Sequence, residues 1–183
     1  MEELNLYSVD LKYIRDLTKA DHHVMSVSPQ IGKETRPFVG IVVVMNTKQY
    51  CIPLTSPKEK FEKKSQIDFI KIFDEHEKNS QGVPKLIGVL NINNMIPVNE
   101  NVIKKINLSY SPKDNRRSQL RKDLMQKEIH WCRNNIDIIH NRANKVYKLV
   151  TQTPEKNRRL TARCLDFLKL EKVLEKNLAL LRI

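Results

Sequence analysis

Glycine is scarce in this sequence, with four isolated residues in 183 positions. That excludes the P-loop and the dinucleotide fingerprint, which need clustered glycines to bring backbone against phosphate. Cysteine is equally sparse: Cys51, Cys132 and Cys164 are odd in number, far apart and never paired as Cys-x-x-Cys. Neither a disulfide framework nor a zinc ribbon can be built from them. The five histidines, at 22, 23, 76, 130 and 140, form no His-x3-His or His-Glu-x-x-His pattern. His22 and His23 could hold a metal only with partners supplied by the fold; otherwise they are solvated loop residues. No metal or cofactor is therefore expected. No apolar run approaches the ~20 residues needed to span a membrane. The start, Met1-Glu2-Glu3, lacks the basic and apolar segments of a signal peptide, so a cytoplasmic, non-membrane protein is expected.

Positive charge is what the chain has in excess. Thirty-three Lys and Arg face 21 Asp and Glu, for a formal net charge of +12. Such a surplus favours polyanionic partners, and nucleic acid suits this composition better than a membrane. A 40% hydrophobic content supplies a core. The length suits one domain, since compact domains run to roughly 100–200 residues.

One domain over 1–183 is expected to divide into sheet and loops (1–112) and a mainly helical half (113–183). Leu4 to Val9 reads as an opening strand. Leu11, Ile14 and Leu17 share a helical face behind a possible Asp10 cap. Phe38–Met45 is a nearly continuous β-branched run suited to a strand buried on both faces. Asn46-Thr47 turns it into a second strand at Gln49–Leu54. Further strands are expected at Ile67–Phe73, Lys85–Ile92 and Met95–Val98, with Pro53 and Pro97 at strand ends or edges. From Asp114 the period lengthens: Leu120, Leu124, Ile129, Trp131 and Cys132 mark one helix, capped by Asp114 or Ser118. Ile136, Ile139, Ala143, Val146 and Val150 mark its continuation beyond Asn134-Asn135. A last helix from about Thr161 would bury Leu165, Leu168, Val173, Leu174 and Leu178. The class is α+β, with a small, curved, mainly antiparallel sheet wrapped by helices.

Thr55-Ser56-Pro57-Lys58 places two hydroxyls and an ammonium on one loop at a sheet rim, a set that suits phosphate. The same four residues also make an ordinary turn. Lys33 and Arg36 precede the Phe38 strand and could face that loop across a hairpin. Tyr13 lies off the Leu11-Ile14-Leu17 face, so its hydroxyl could point outward, though such rings commonly pack. Lys113, Arg116, Arg117, Arg121 and Lys122 crowd one segment, and Arg117 and Arg121 share a helix face at i, i+4. They suit a phosphate backbone as well as they suit solvent. A base could stack on His130 or Trp131, unless Trp131 is core. Lys156-Asn-Arg-Arg159 is a second, non-specific basic cluster. No carboxylate pair or His–His pair stands out. RNA cleavage needs neither: the substrate's 2′-OH can attack the adjacent phosphorus, leaving a 2′,3′-cyclic phosphate and a 5′-OH, if the protein orients it and neutralises the phosphorane.

In order and spacing, several short landmarks together resemble the ToxN/AbiQ family of endoribonuclease toxins from type III toxin–antitoxin systems. They are Tyr7…Lys12-Tyr13-Ile14, Phe38-Val-Gly-Ile-Val42, Tyr50…Pro53-Leu-Thr-Ser-Pro-Lys58, Leu86…Gly88-Val-Leu-Asn-Ile92 with Met95-Ile-Pro97, and Arg133…Asn135…Asp137. The resemblance implies a compact, strongly curved antiparallel sheet of the Kid/MazF barrel kind. It implies metal-independent cleavage of single-stranded, often adenine-rich cellular or phage RNA. It also implies a bacterial partner, a small repeat antitoxin RNA. The toxin would trim this RNA into pseudoknots that bind back, in a ring of three proteins and three RNAs. Growth arrest, often as abortive phage infection, would follow.

By the same resemblance the catalytic positions fall on Thr55, Ser56, Lys58, Tyr13 and Arg36, the last where a lysine is familiar. A guanidinium stays protonated, so Arg36 suits charge stabilisation better than proton transfer, and Lys33 could partly stand in. Some relatives carry a tyrosine in the preceding loop; residues 18–35 here contain none. Arg116, Arg117, Arg121 and Lys122 are the expected grip on RNA. Two other classes compete: a non-catalytic RNA-binding protein using the same basic surface, and a DNA-binding regulator built on the C-terminal helices. No helix–turn–helix glycine turn supports the latter.

Overall fold

A computed structural model describes residues 4–24, 38–45, 47–62, 65–78, 80 and 82–180. Seven strands and six α-helices follow in the order β1 (Leu6–Val9), α1 (Leu11–Ala20), β2 (Phe38–Met45), β3 (Lys48–Thr55), α2 (Glu59–Glu62), β4 (Phe69–Lys78), β5 (Pro84–Asn91), β6 (Ile96–Val98), β7 (Ile103–Lys105), α3 (Arg116–Asn134), α4 (Ile136–Gln152), α5 (Arg158–Thr161) and α6 (Phe167–Leu180). From Arg116 onward every regular element among the described residues is helical.

The sheet is antiparallel, in the order β4-β5-β3-β2-β1-β7, with β6 branching from β3. Among the described residues β4 and β7 stand at opposite ends without pairing, so the expected barrel is left open. The branch explains the shape. Residues 49–51 of β3 pair with β6 and residues 54–55 with β5, while β2 runs alongside from Lys48 to Pro53. Pro53 lies inside the strand rather than at its end, at the point where β3 changes partner. A residue without an amide donor is tolerated there because neither ladder requires one. Pro97 sits in β6, which among the described residues pairs only with β3. Gly40 of β2 faces Pro53, and a Cβ there would stand 2.1 Å from the carbonyl oxygen of Ile52. Only glycine allows that approach.

The helices cover the sheet with apolar faces. Asp10 caps α1, accepting from the Tyr13 amide at 2.9 Å. The buried face of α1 is Tyr13, Ile14 and Leu17, not Leu11, Ile14 and Leu17. Tyr13 stacks one turn before Leu17 and so belongs to the core side. α4 buries Ile139, Ala143, Val146 and Val150 and lies against β2. α6 packs on β6 and α1. It begins at Phe167, later than Thr161 suggested, because the short α5 and a turn intervene; Phe167 and Leu170 go inside and Leu168 stays out. Tyr50, Tyr147 and Phe167 pack ring to ring with centroids 5.7–6.0 Å apart. Buried Glu171 anchors this cluster, accepting from Tyr50, from Tyr147 at 2.8 Å and from Lys48. Burial raises its pKa, but those three donors outweigh it and hold Glu171 below the ordinary glutamate value.

The cap of α3 is Asn115, which accepts from Ser118, and not Asp114 or Ser118. Asp114 instead accepts from Ser111 and Lys122 and folds the preceding loop onto the helix. Only the second half of α3 enters the core, through Glu128, Ile129 and Cys132; Leu120 and Leu124 are exposed. Asn135 ends α3 and starts α4. The Arg133…Asn135 landmark is thus structural at both residues: Asn135 breaks the helix, and Arg133 Nε donates to the Leu4 carbonyl at 2.8 Å, pinning the lead into β1.

Candidate active site and RNA-facing surface

Thr55 ends β3 opposite Val89 of β5, and Val89 pairs in turn with Lys71 of β4. Directly opposed residues of an antiparallel pair point to the same face. Thr55, Val89 and Lys71 therefore form one row across three strands, with Thr55 and Lys71 about 10 Å apart along it. Asn91, two residues beyond Val89, is buried and shares this face; its Nδ2 donates to Thr55 Oγ1 at 2.8 Å. Having accepted from Asn91, the Thr55 hydroxyl must direct its own proton elsewhere. Among the described residues it goes to the Val89 carbonyl, at a long 3.5 Å. A phosphate oxygen at the rim would offer a better one.

Ser56, Pro57 and Lys58 follow, all exposed. The Lys58 carbonyl accepts from the Phe61 amide at 2.8 Å, fixing the turn into α2. Two hydroxyls and an ammonium thus stand on a short, anchored segment between the end of β3 and α2. Such a set can hold a phosphate and stabilise charge developing on its oxygens, without supplying a base.

The other expected positions divide. Lys33 and Arg36 lie outside the described residues. The register Gly40↔Pro53 nevertheless puts the start of β2 at the same end of the sheet as Thr55. Tyr13 turns inward, not outward: it is buried, and its hydroxyl donates to the Pro97 carbonyl at 2.7 Å. Burial pushes its phenol far above the ordinary tyrosine value. In this arrangement Tyr13 ties α1 to β6. Arg116, Arg117 and Arg121 are exposed on the first turns of α3. Lys122 is half-buried and committed, donating to Ser109 O at 2.7 Å and Asp114 Oδ2 at 2.6 Å. The fold does bring a third donor to His22 and His23: atoms of Asp21 and both rings lie within 4.8 Å of one another. The Asp21 carboxylate already accepts from the His23 amide and ring and from the Asp166 amide, joining the end of α1 to the segment leading into α6. Among the described residues no helix is long and apolar enough to cross a membrane.

The sequence reading missed Asn91 and Lys71. Both had a signal: Asn91 closes an apolar strand with a buried amide, and Lys71 interrupts Phe69-Ile70-…-Ile72-Phe73.

Residues 5–175 match the family model of toxin ToxN of type III toxin–antitoxin systems. The chain is 34% identical to an endoribonuclease ToxN of Bacillus thuringiensis subsp. kurstaki over 168 residues, 90% of this chain and 79% of that protein. It belongs to the ToxN toxin family. An endoribonuclease ToxN of Pectobacterium atrosepticum is 28% identical over 81% of this chain and 82% of its own length. A solved structure of a bacterial type III toxin, one selectively inhibited by a non-coding RNA pseudoknot, superposes with a TM-score of 0.77. It is 29% identical, and the match covers 96% of this chain and 98% of that one. AbiQ, a lactococcal anti-phage endoribonuclease of the type III system, has the same fold, with a TM-score of 0.74 at 22% identity over 96% of this chain and 98% of its own. The pairing of Thr55 with Val89 and the bond from Asn91 join two of the landmarks, Pro53–Lys58 and Leu86–Ile92.

Proposed function

We propose that this chain is a type III toxin that cuts single-stranded RNA at specific sequences without a metal ion. The substrate's own 2′-OH would attack the neighbouring phosphorus, leaving a 2′,3′-cyclic phosphate and a 5′-OH. Thr55 and Ser56 hold the scissile phosphate and orient the 2′-OH, and Lys58 and Arg36 stabilise the phosphorane. The observation that supports this most directly is the anchored rim loop, where Asn91 occupies the acceptor side of Thr55 and its proton has only a long bond to the Val89 carbonyl, which a phosphate oxygen could replace. Tyr13 serves as a positioning residue for this site, through its bond to Pro97.

The partner is a repeat RNA antitoxin, trimmed by the toxin to pseudoknots that bind back and inhibit it. The relative inhibited by a non-coding RNA pseudoknot supports that choice. The assembly is a ring of three toxins and three RNAs in the bacterial cytoplasm, and release of the toxin arrests growth or aborts phage infection. A net charge of +12 and the exposed Arg116, Arg117 and Arg121 suit both RNAs.

Incubating the protein with end-labelled RNA in EDTA tests the chemistry. Discrete cuts bearing cyclic-phosphate and 5′-OH ends are expected. Tight binding without cuts, unchanged by added Mg²⁺, would make the chain a non-catalytic RNA binder instead. The grip is tested separately. Replacing Arg117 and Arg121 together by alanine should flatten the log–log salt dependence of RNA binding by about 1.4, since each lost single-strand phosphate contact removes about 0.7. An unchanged slope would take α3 out of the interface.

A further inference from the structure

Away from the Thr55 loop, two clefts open side by side along β4, the strand at one end of the sheet, and Trp131 of α3 lines both. The first holds about 330 Å³ between Phe73, Asp74 and His76 of β4 and Lys127, His130 and Trp131 of α3. Its walls are largely ring surface, with the exposed His130 beside the half-buried Trp131. The acid in the wall is neutralised: Asp74 accepts from Lys127 Nζ at 2.7 Å and from the amides of His76 and Glu77. Lys127 is equally occupied, since it also reaches Glu77 Oε1 at 2.9 Å. The second cleft, about 260 Å³, is lined by two cationic residues, Lys71 and Arg142, with Ser65, Gln66 and Ile138, and Arg142 also donates to the Phe69 carbonyl at 3.2 Å. Lys71 is also the end of the row that begins at Thr55.

A flat, neutral, ring-walled cleft beside a basic one matches the two halves of a nucleotide. We propose that Trp131 is the stacking platform of a nucleotide subsite. An unpaired base of single-stranded RNA enters the cleft between β4 and α3, and its phosphate lies toward Lys71 and Arg142. This rests on the proposed action on RNA and adds to it a second, non-catalytic contact that holds a nucleotide flanking the cut. The size fits, since small-ligand clefts begin at roughly 300 Å³. So does the chemistry, because aromatic faces accept any base while cations track the backbone. A protein partner would gain little from the second cleft, where Lys71 and Arg142 lie beside Ser65 and Gln66.

Trp131 is the one tryptophan in the chain, so its emission reports these two adjoining clefts. The probe is a hexaadenylate with every 2′-OH methylated, which cannot cleave itself. Titration into the wild-type protein should quench Trp131 emission saturably. Trp131→Leu should weaken binding, followed by anisotropy of the labelled oligomer, on the order of tenfold, as loss of one stacked base does. That loss should be equal at about 50 and 300 mM salt, because stacking releases no counterions. Trp131→Phe should recover most of the affinity, and His130→Ala, at an exposed position, should cost severalfold in a protein that melts as wild type does. Failure to bind, binding with unchanged emission, equal quenching by an abasic hexamer, or wild-type affinity in the Leu variant would each overturn the subsite. Because the probe is uncleavable, the two readings fail separately. Quenching in a protein that cuts no RNA removes the nuclease and keeps the subsite; cutting without any Trp131 response does the reverse.

Discussion

Ser56→Ala is expected to slow RNA cleavage by roughly 10²–10³-fold, the usual cost of removing one hydrogen-bond donor aimed at transition-state charge. RNA affinity should change little. The Ser56 side chain is exposed at the sheet rim and, among the described residues, makes no hydrogen bond. Its loss should therefore leave the melting temperature where it was, as surface changes of this kind stay within about 0.5 kcal/mol. The affinity should hold because most of the binding free energy comes from phosphate contacts spread over the basic surface. The neighbouring Thr55 predicts a different profile. Thr55→Val also removes a donor, but it strips the acceptor from buried Asn91 Nδ2, and an unsatisfied buried donor costs about 1–3 kcal/mol. Thr55→Val should thus lose activity and stability together, and Ser56→Ala activity alone. Single-turnover rates, RNA affinity and thermal melts on both variants separate the cases. Cleavage by Ser56→Ala at near the wild-type rate would remove the rim loop from the chemistry. A parallel fall in affinity would make Ser56 a binding residue rather than a catalytic one.

Local pattern was most legible where a single element decides the outcome. The Asp10 cap, the stripe of α4 and the β-branched Phe38–Met45 run follow from propensity and period, and the structure has α1, α4 and β2 where they were expected. Features that depend on a second element were not legible. Tyr13 looked outward on a wheel built from Leu11, yet Leu11 is only half-buried and the Pro97 carbonyl offers the hydroxyl a partner 84 residues away. Leu120 and Leu124 fit an apolar stripe, but the sheet reaches only the second half of α3. Pro53 looked like a strand end because its tolerance arises from the branching of β3, which no window along the chain contains. The site divides the same way. Thr55, Ser56 and Lys58 are contiguous and visible as a motif, whereas Asn91 and Lys71 join them only through the cross-strand register.

Glu128 provides the second large effect, on stability. It is a carboxyl in the buried half of α3, seated on Gly88 of β5, where an added Cβ would lie 2.5 Å from its Oε1. Burial disfavours the ionised form and pushes it up to about 8. Between the ordinary glutamate value and about 8 the folded chain keeps a proton that the unfolded chain has lost. Stability contributed by this group is therefore complete at acid pH and declines as pH rises through that window, by about 1.4 kcal/mol per unit. The groups held low by their donors, Asp74 by Lys127 first and Glu171 by Lys48 and two tyrosines against its burial, act the other way. Their contribution is present above the ordinary carboxylate values and is lost only as pH falls below them. The two limbs do not overlap, so the wild-type protein should be most stable near mildly acidic pH and weaken by a few kcal/mol toward pH 8. Glu128→Gln keeps the shape over Gly88 and removes the titration. It should melt close to wild type at pH 5, well above it at pH 8, and show a flat profile between. A wild-type profile that is itself flat from pH 5 to 8 would mean that the Glu128 carboxylate ionises in place, compensated within the contact between α3 and β5.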